Sequence, residues 1–343
     1  MAPSLKILQL GSGSMGTRRL RDLSKRSGVE VRLFDQRADR RAAAAVKFGV
    51  GVFDSLETAL AWGPEALVIS TPPGTKGQYT DLSLDRGLHH FVEADMWGYG
   101  VTKRLGEKPG LVLAPSLSFG FLPVVQTLIK RVPATIGRLL GYQFVLAGDM
   151  AGWHPTEGKE YYGRHRDTAP AREMVPFELA WLSQLFGDPV AVSGHYGLTS
   201  GRPDAFEDTW SLQLELNDGA IGQVIVTMAC PNDIRRGSAQ GTTGSASWDI
   251  NKGEIILQAA DGKMETLNFG PIGAAIETAY AAEINAYVDA IQGGTPWVHG
   301  YRDYQRAIAT LAASEASAQA GGSVRIDPWA DPSRVLAPAP VRR

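Results

Sequence analysis

An apolar run, Lys6-Ile7-Leu8-Gln9-Leu10, passes directly into Gly11-Ser12-Gly13-Ser14-Met15-Gly16 and from there into a helix-compatible segment. Strand, G-x-G-x-x-G turn and helix in that order restrict the opening of the fold to a βα unit shaped for a dinucleotide. Each glycine has its own reason. Gly11 permits the tight turn, Gly13 lets backbone approach a pyrophosphate, and Gly16 lets the helix pack close to the strand. Ser12, Ser14 and Met15 complete the turn, and the free N–H groups of the helix start face the anion, so this binding needs no side chain. A glycine-rich turn is common by itself, and its context has to decide.

The context agrees. A second strand over residues 29–34 ends in Asp35, about twenty residues beyond the glycines, where an acidic side chain accepts hydrogen bonds from ribose hydroxyls. That placement predicts NAD as the cofactor. Asp35 also has an ordinary reading as a turn residue after a strand. Arg37, Arg40 and Arg41, just beyond it, are placed to stack on adenine or to hold a 2′-phosphate, which keeps NADP open.

Strand-like and helix-like runs alternate through the first third of the chain, the signature of a parallel, doubly wound sheet. A helix is expected over 39–47, a short strand over 51–53, and a helix start at Asp54 with Glu57 three residues on. Ala66-Leu67-Val68-Ile69-Ser70 is an apolar run of the kind buried on both faces of a sheet, and it leads into Thr71-Pro72-Pro73-Gly74. The strand His90-Phe91-Val92 delivers Glu93-Ala94-Asp95 to the same carboxyl edge, where open sheets bind ligands, and residues 111–114 close the set.

Beyond residue 120 the alternation gives way to long strands joined by short turns. A helix over 123–131 precedes strands over 139–146, 191–199, 209–216 and 220–228, with Asn217-Asp218-Gly219 as a hairpin signal between the last two. Strands over 245–250, 254–258 and 264–269, with a turn at Asp261-Gly262, complete an open, mostly antiparallel sheet, and helices over 277–292 and 302–320 follow. The expected fold is therefore an α/β Rossmann domain over 1–118 and an α+β domain for substrate binding and oligomerisation over 119–328. A tail over 329–343, rich in proline and arginine, is expected to be disordered.

Composition narrows the function classes. A chain of 343 residues, 44% hydrophobic with a formal net charge of −2, fits two domains with full cores and offers no basic excess for nucleic acid. Cys230, the only cysteine, sits in an apolar strand-like run and reads as a packing residue rather than a nucleophile. No metal-ligating cluster stands out. Neither a secretory leader nor about eighteen uninterrupted apolar residues occur, so a cytoplasmic location without membrane contact is expected.

Together, the glycine turn, Ser70-Thr71-Pro72-Pro73, the strand ending at Glu93, the helix over 277–292 and the alanine-rich helix before Gly321-Gly322 make the chain to residue 328 resemble the Gfo/Idh/MocA family of NAD(P)-dependent sugar and inositol oxidoreductases. The resemblance implies a Rossmann domain followed by an open-faced sheet domain that carries substrate contacts and pairs with another subunit. Cofactor contacts are accordingly expected from Gly11 to Gly16, Asp35, Thr71, Pro72, Pro73 and Glu93. A sheet with one uncovered face predicts a homodimer or homotetramer.

Two departures from the family pattern carry consequences. The usual E-K-P supplies a lysine next to the nicotinamide and the substrate hydroxyl, whereas this chain has Glu93-Ala94-Asp95. A family pattern like D-x-G-x-H-x-x-D corresponds here to residues 173–180, with Glu173 nearest the aspartate and Phe177 in the histidine's place. A dehydrogenase needs a base within hydrogen-bond reach of the hydroxyl, so other groups must serve. Tyr162, Glu173, His165 and Asp95 are the acid–base candidates. His154, Tyr161, Arg166, Arg172 and Glu178 are candidates for substrate contact, since aromatic faces suit sugar rings and guanidinium forks suit carboxylate or phosphate.

Ordinary readings stand beside these. His154 before Pro155 can satisfy a turn, and the tyrosines can be packing groups. His165 between arginines belongs equally to a solvated loop or to a base kept neutral. Glu173 and Glu178 can complement a helix dipole, and Asp95 can cap a loop. Lys159 is the weaker choice for replacing the missing lysine. His89, His90, His195 and His299 are read as structural. The leading expectation is an oxidoreductase moving a hydride between NAD(P) and a sugar, sugar acid, inositol or nucleotide-linked sugar. Two alternatives stay open: a catalytically silent cofactor- or sugar-binding partner protein, and a redox-neutral NAD-assisted glycosidase.

Overall fold

In β1 (Leu5–Leu10), Leu5 and Ile7 join one apolar cluster while Leu8 and Leu10 join another, which commits the strand to the middle of a sheet covered on both faces. The structure, a computed structural model, describes residues 4–94, 99–106, 108–149, 169–202 and 206–329. Around β1 lie β2 (Val29–Phe34), β3 (Gly51–Phe53), β4 (Ala66–Ile69), β5 (His89–Val92) and β6 (Leu113–Pro115). All neighbours pair in parallel, in the order β3-β2-β1-β4-β5-β6. This is the doubly wound order, and its direction of winding reverses between β1 and β4.

Helices cover both faces. Leu20 and Leu23 of α1 (Ser14–Leu23) and Ala44 of α2 (Ala38–Phe48) pack with Leu5 and Ile7. Ala59 of α3 (Leu56–Ala61), Tyr79 and Leu84 of α4 (Pro73–Arg86) and Val101 of α5 (Tyr99–Arg104) pack with Leu8 and Leu10. The start of α3 corrects the sequence expectation by one residue. Ser55, not Asp54, has the extended cap geometry and accepts from the Thr58 N–H at 3.1 Å, while Asp54 meets Arg41.

α6 (Pro123–Ile136) runs beyond its expected end at residue 131 and carries Pro133 inside its last turns. Burial of Val132 and Ile136 offsets the missing N–H. The second sheet comprises β7 (Leu139–Asp149), β8 (Pro189–Gly197), β9 (Thr209–Leu216), β10 (Ile221–Thr227), β11 (Ala229–Gly241), β12 (Gly244–Asp249), β13 (Glu254–Ala259), β14 (Met264–Asn268) and β15 (Val324–Arg325). They lie in the order β14-β13-β12-β11-β7-β10-β9-β8-β15, and only β7 and β10 pair in parallel.

β11 was not expected from the sequence. It contains Pro231 and polar residues without an apolar alternation, and its register against β7 shifts between Ala229 and Ile234. Pairing with β7 and β12 makes it a strand, not its own pattern. On one face of this sheet Phe144 packs against Trp181 of α7 (Pro170–Phe186), with ring centroids 5.4 Å apart. Leu140, Ile221 and Ile225 remain exposed on β7 and β10.

α8 (Ile272–Ile291) and α9 (Tyr301–Ala320) complete the described elements. One compact unit holds the chain to Ser118 together with Glu277–Asp303, and the other holds Phe119–Ile276 together with the chain from Tyr304. Residues 277–303, assigned to the second domain in the sequence reading, join the first because Ile284, Tyr287 and Val288 fill the cluster around Leu5, Ile7 and Leu20. Among the described residues, no helix is long and apolar enough to cross a membrane.

Candidate functional site

The glycine turn has the geometry its spacing requires. Gly11 has φ +83°, and a Cβ on it would stand 2.6 Å from the Ser70 carbonyl oxygen; a Cβ on Gly16 would stand 2.2 Å from the Gly11 oxygen. Gly13 differs, since the nearest atom to a Cβ there is Arg40 Nη1 at 3.6 Å. Close packing therefore explains Gly11 and Gly16, and open space in front of the turn is what Gly13 preserves. Fully buried Gln9 fixes the turn from behind, donating to Gly11 O at 2.9 Å and to Ser70 Oγ at 3.0 Å.

α1 begins at Ser14 with no side-chain cap and no acid in its first turn. Its first N–H groups, with those at Ser14, Met15 and Gly16 foremost, are left for an outside acceptor. Next to Gly11 lies Thr71, whose buried Oγ1 has no hydrogen-bond partner among the described residues. Pro72 and Pro73 start α4, again without a side-chain cap. Asp35 is buried at the end of β2, where Oδ2 accepts from Ser12 N (2.7 Å) and Oγ (3.0 Å) and Oδ1 from Arg37 N (2.9 Å). Oδ2 is filled by its two donors, whereas Oδ1 retains lone-pair capacity for a hydroxyl. An uncapped helix start, an open Gly13, a partnerless hydroxyl and a carboxylate one strand away fit a dinucleotide laid across the switch point.

The arginines beyond Asp35 separate. Arg37 pairs with Asp39, and Arg41 donates to Asp35 O at 2.7 Å and reaches Asp54 at 3.1 Å. Arg40 is the one whose guanidinium lies in front of Gly13. Glu93, at the end of β5, is taken up by an ionic cluster. Fully buried Arg19 donates to Glu93 at 2.6 and 3.1 Å, to Glu283 at 2.6 Å and to Tyr280 O at 2.8 Å. Burial opposes charge on Arg19, yet the two carboxylates prevail and hold its proton more tightly than usual. Burial raises the Glu283 pKa although Arg19 opposes the shift.

Two histidines at β5 serve the sheet. His89 Nδ1 accepts from Val112 N, and fully buried His90 spans Ser83 Oγ and Tyr301 Oη, its pKa pushed down to about 3 by burial and by neighbouring His89. Lys76 is not among the site residues expected from the sequence. This residue of α4 is buried and its Nζ donates to the Ala94 carbonyl at 2.8 Å. The available signal was its place on a buried stripe with Pro73, Tyr79, Thr80, Ser83 and Leu84, where a lysine is out of pattern.

In the second unit, α7 carries the remaining described candidates. Arg172 is buried in a bidentate pair with Glu315, at 2.7 and 3.2 Å, and Glu173 is buried in the first turn. Phe177 packs edge-on against Phe119 with centroids 5.3 Å apart. Glu178 has no exposed surface; it accepts from Trp181 Nε1 at 2.8 Å and lies 2.8 Å from Arg235, and burial raises its pKa against the pull of Arg235. The six other expected site residues, Asp95, His154, Tyr161, Tyr162, His165 and Arg166, lie outside the described residues.

Residues 5–95 match the model of an oxidoreductase family with an NAD-binding Rossmann fold, and residues 134–247 match the GFO/IDH/MocA C-terminal domain. No curated protein matches the sequence. Among solved structures, one from Desulfitobacterium hafniense, assigned provisionally as an NADPH-dependent oxidoreductase, is similar with TM-score 0.81 at 14% identity, covering 98% of this chain and 100% of that one. Levoglucosan dehydrogenase in complex with NADH and levoglucosan is similar with TM-score 0.79 at 17% identity, covering 94% and 99%. Myo-inositol 2-dehydrogenase from Lactobacillus plantarum is similar with TM-score 0.78 at 18% identity, covering 94% and 100%.

Proposed function

Because the chain belongs to the Gfo/Idh/MocA oxidoreductase family and its first domain is an NAD-binding Rossmann domain, we propose that it oxidises or reduces a CH–OH carbon of a sugar, sugar acid or inositol. The observation that carries the reading is the open, uncapped turn at Gly13 and Ser14 on the switch-point edge. NAD bound there would accept or supply the hydride. The chain's own part is to hold it: backbone N–H groups of the turn take the diphosphate, Asp35 the adenosine ribose, and Thr71 Oγ1 a polar atom laid over β4. Levoglucosan dehydrogenase and myo-inositol 2-dehydrogenase, the similar structures, support polyhydroxylated rings as the substrate class. Exposed Leu140, Ile221 and Ile225 support assembly as a homodimer or homotetramer.

The experiment is a fluorescence titration with NADH followed by a hydride-transfer screen over levoglucosan, myo-inositol and free sugars. Wild type is expected to bind NADH and turn over one ring, and Gly13→Val to lose binding by about a hundredfold while retaining its fold, since a Cβ there meets only the flexible end of Arg40, at 3.6 Å. Binding without turnover on any ring would favour the silent binding protein, a reading supported by the packed, non-titrating Phe177. Equal NADH affinity in Gly13→Val would remove the site altogether.

A further inference from the structure

At the carboxyl edge of the first sheet, Ala94 occupies the place where the family pattern would put a lysine, and a lysine from elsewhere in the chain reaches its backbone carbonyl. Lys76 leaves α4 on its buried face and brings Nζ to 2.8 Å from the Ala94 carbonyl oxygen. An ammonium has three N–H donors, and Ala94 O is the acceptor that Lys76 meets among the described residues. Burying a long cationic side chain to reach one backbone carbonyl is costly unless the remaining donors have a use. In a doubly wound sheet the two halves of a dinucleotide lie on opposite sides of the switch point. Asp35 ends β2 on one side; Ser70 follows β4 and Glu93-Ala94 follows β5 on the other. The Lys76 ammonium would therefore stand on the nicotinamide side of a dinucleotide bound across the switch point.

We propose that Lys76 supplies, from α4, the cation that the chain lacks at position 94. Lys76 is a catalytic residue that donates a hydrogen bond to the reacting oxygen of the substrate and sets a positive charge beside the nicotinamide. Ala94 contributes its carbonyl as the anchor that aims Nζ. This assignment rests on the coenzyme reading given above, and it carries a consequence that needs no substrate. The nicotinamide ring is cationic in NAD+ and neutral in NADH, so a fixed ammonium near it weakens NAD+ relative to NADH.

The test is a pair of calorimetric titrations, with NAD+ and with NADH, on wild type, Lys76→Met, Lys76→Arg and the double variant Lys76→Met/Ala94→Lys. Removing one positive charge within several ångströms of the ring is expected to lower the ratio Kd(NAD+)/Kd(NADH) roughly tenfold in Lys76→Met. Lys76→Arg is expected to keep the wild-type ratio, and Ala94→Lys in the Lys76→Met background to restore most of it. A ratio unchanged in Lys76→Met while both coenzymes bind overturns the role of Lys76 and leaves the coenzyme reading standing. Wild type that binds neither coenzyme overturns both. Should Lys76→Met not fold, Lys76→Gln decides: it removes the charge while keeping an N–H donor on the side chain, a lowered ratio supports the placement, and an unchanged ratio refutes it.

Discussion

The two compact units each bury an ion pair on a helix that flanks a sheet, and the two clusters are finished to different degrees. Arg19 reaches two carboxylates and a backbone carbonyl, while Glu283 also accepts from Ser116 Oγ, Leu117 N and Ser118 Oγ at 3.0, 2.6 and 2.8 Å. In the second unit, Glu178 and Arg235 approach to 2.8 Å, but the contact is poorly directed: Glu178 Oε1 and Arg235 Nε have no properly formed hydrogen bond among the described residues. Arg235 also lies 4.0 Å over the Phe119 ring. A buried charge is tolerated when every lone pair and proton is matched, and the first cluster meets that condition better. The comparison assigns the Arg19 cluster to architecture, since it ties α1, β5, the segment after β6 and α8 together. It marks the Glu178 pair as the less settled of the two.

The largest effect is expected from Arg19→Met. Two buried carboxylates would lose their common cation, at a cost of about 3–5 kcal/mol, measured by urea unfolding. A cost below about 1 kcal/mol would erase the contrast, because it would place both clusters among weak contributors. An intermediate and opposite result is expected for Glu178→Leu combined with Arg235→Met. Replacing an incompletely bonded pair by apolar groups should leave stability within about 1 kcal/mol of wild type, the lost Phe119 contact offsetting the relief of desolvation.

The smallest effect is a pH slope. Burial raises the folded-state pKa of Glu178 above its unfolded value. The folded protein therefore binds this proton at pH values where the unfolded chain has released it. The contribution is present below the ordinary carboxylate range near pH 4 and declines as pH rises toward the raised value. The stability difference between wild type and Glu178→Gln should accordingly shift in favour of the variant across that window. Thermal melts of both proteins between pH 4 and 7 check it, and parallel curves would show that Arg235 neutralises Glu178 fully.

How legible each region was follows from the range of its interactions. The glycine turn, Asp35 at the end of β2 and the run into Thr71-Pro72-Pro73 are local patterns, and the structure reproduces them with a change of one residue at the start of α3. Glu93 was expected among cofactor contacts. Its carboxylate partner, Arg19, stands 74 residues away, and no local pattern could have joined them. Arg172 looked like a fork for substrate and meets Glu315 across 143 residues. Glu178 read as a first-turn helix residue, whereas its burial depends on Arg235 from β11, a strand without apolar alternation.

By itself, the sequence determined most of the order of strands and helices, the parallel opening sheet, the mostly antiparallel second sheet and the glycine turn, because hydrophobic periodicity and glycine stereochemistry act over a few neighbouring residues. Only the tertiary structure decided that residues 277–303 return to the first unit, that β11 becomes a strand, and that Lys76 reaches the carbonyl of Ala94. Those outcomes depend on which distant side chains share a buried volume. Burial makes charge pairing and hydrogen-bond completion matter at separations along the chain that no local pattern encodes.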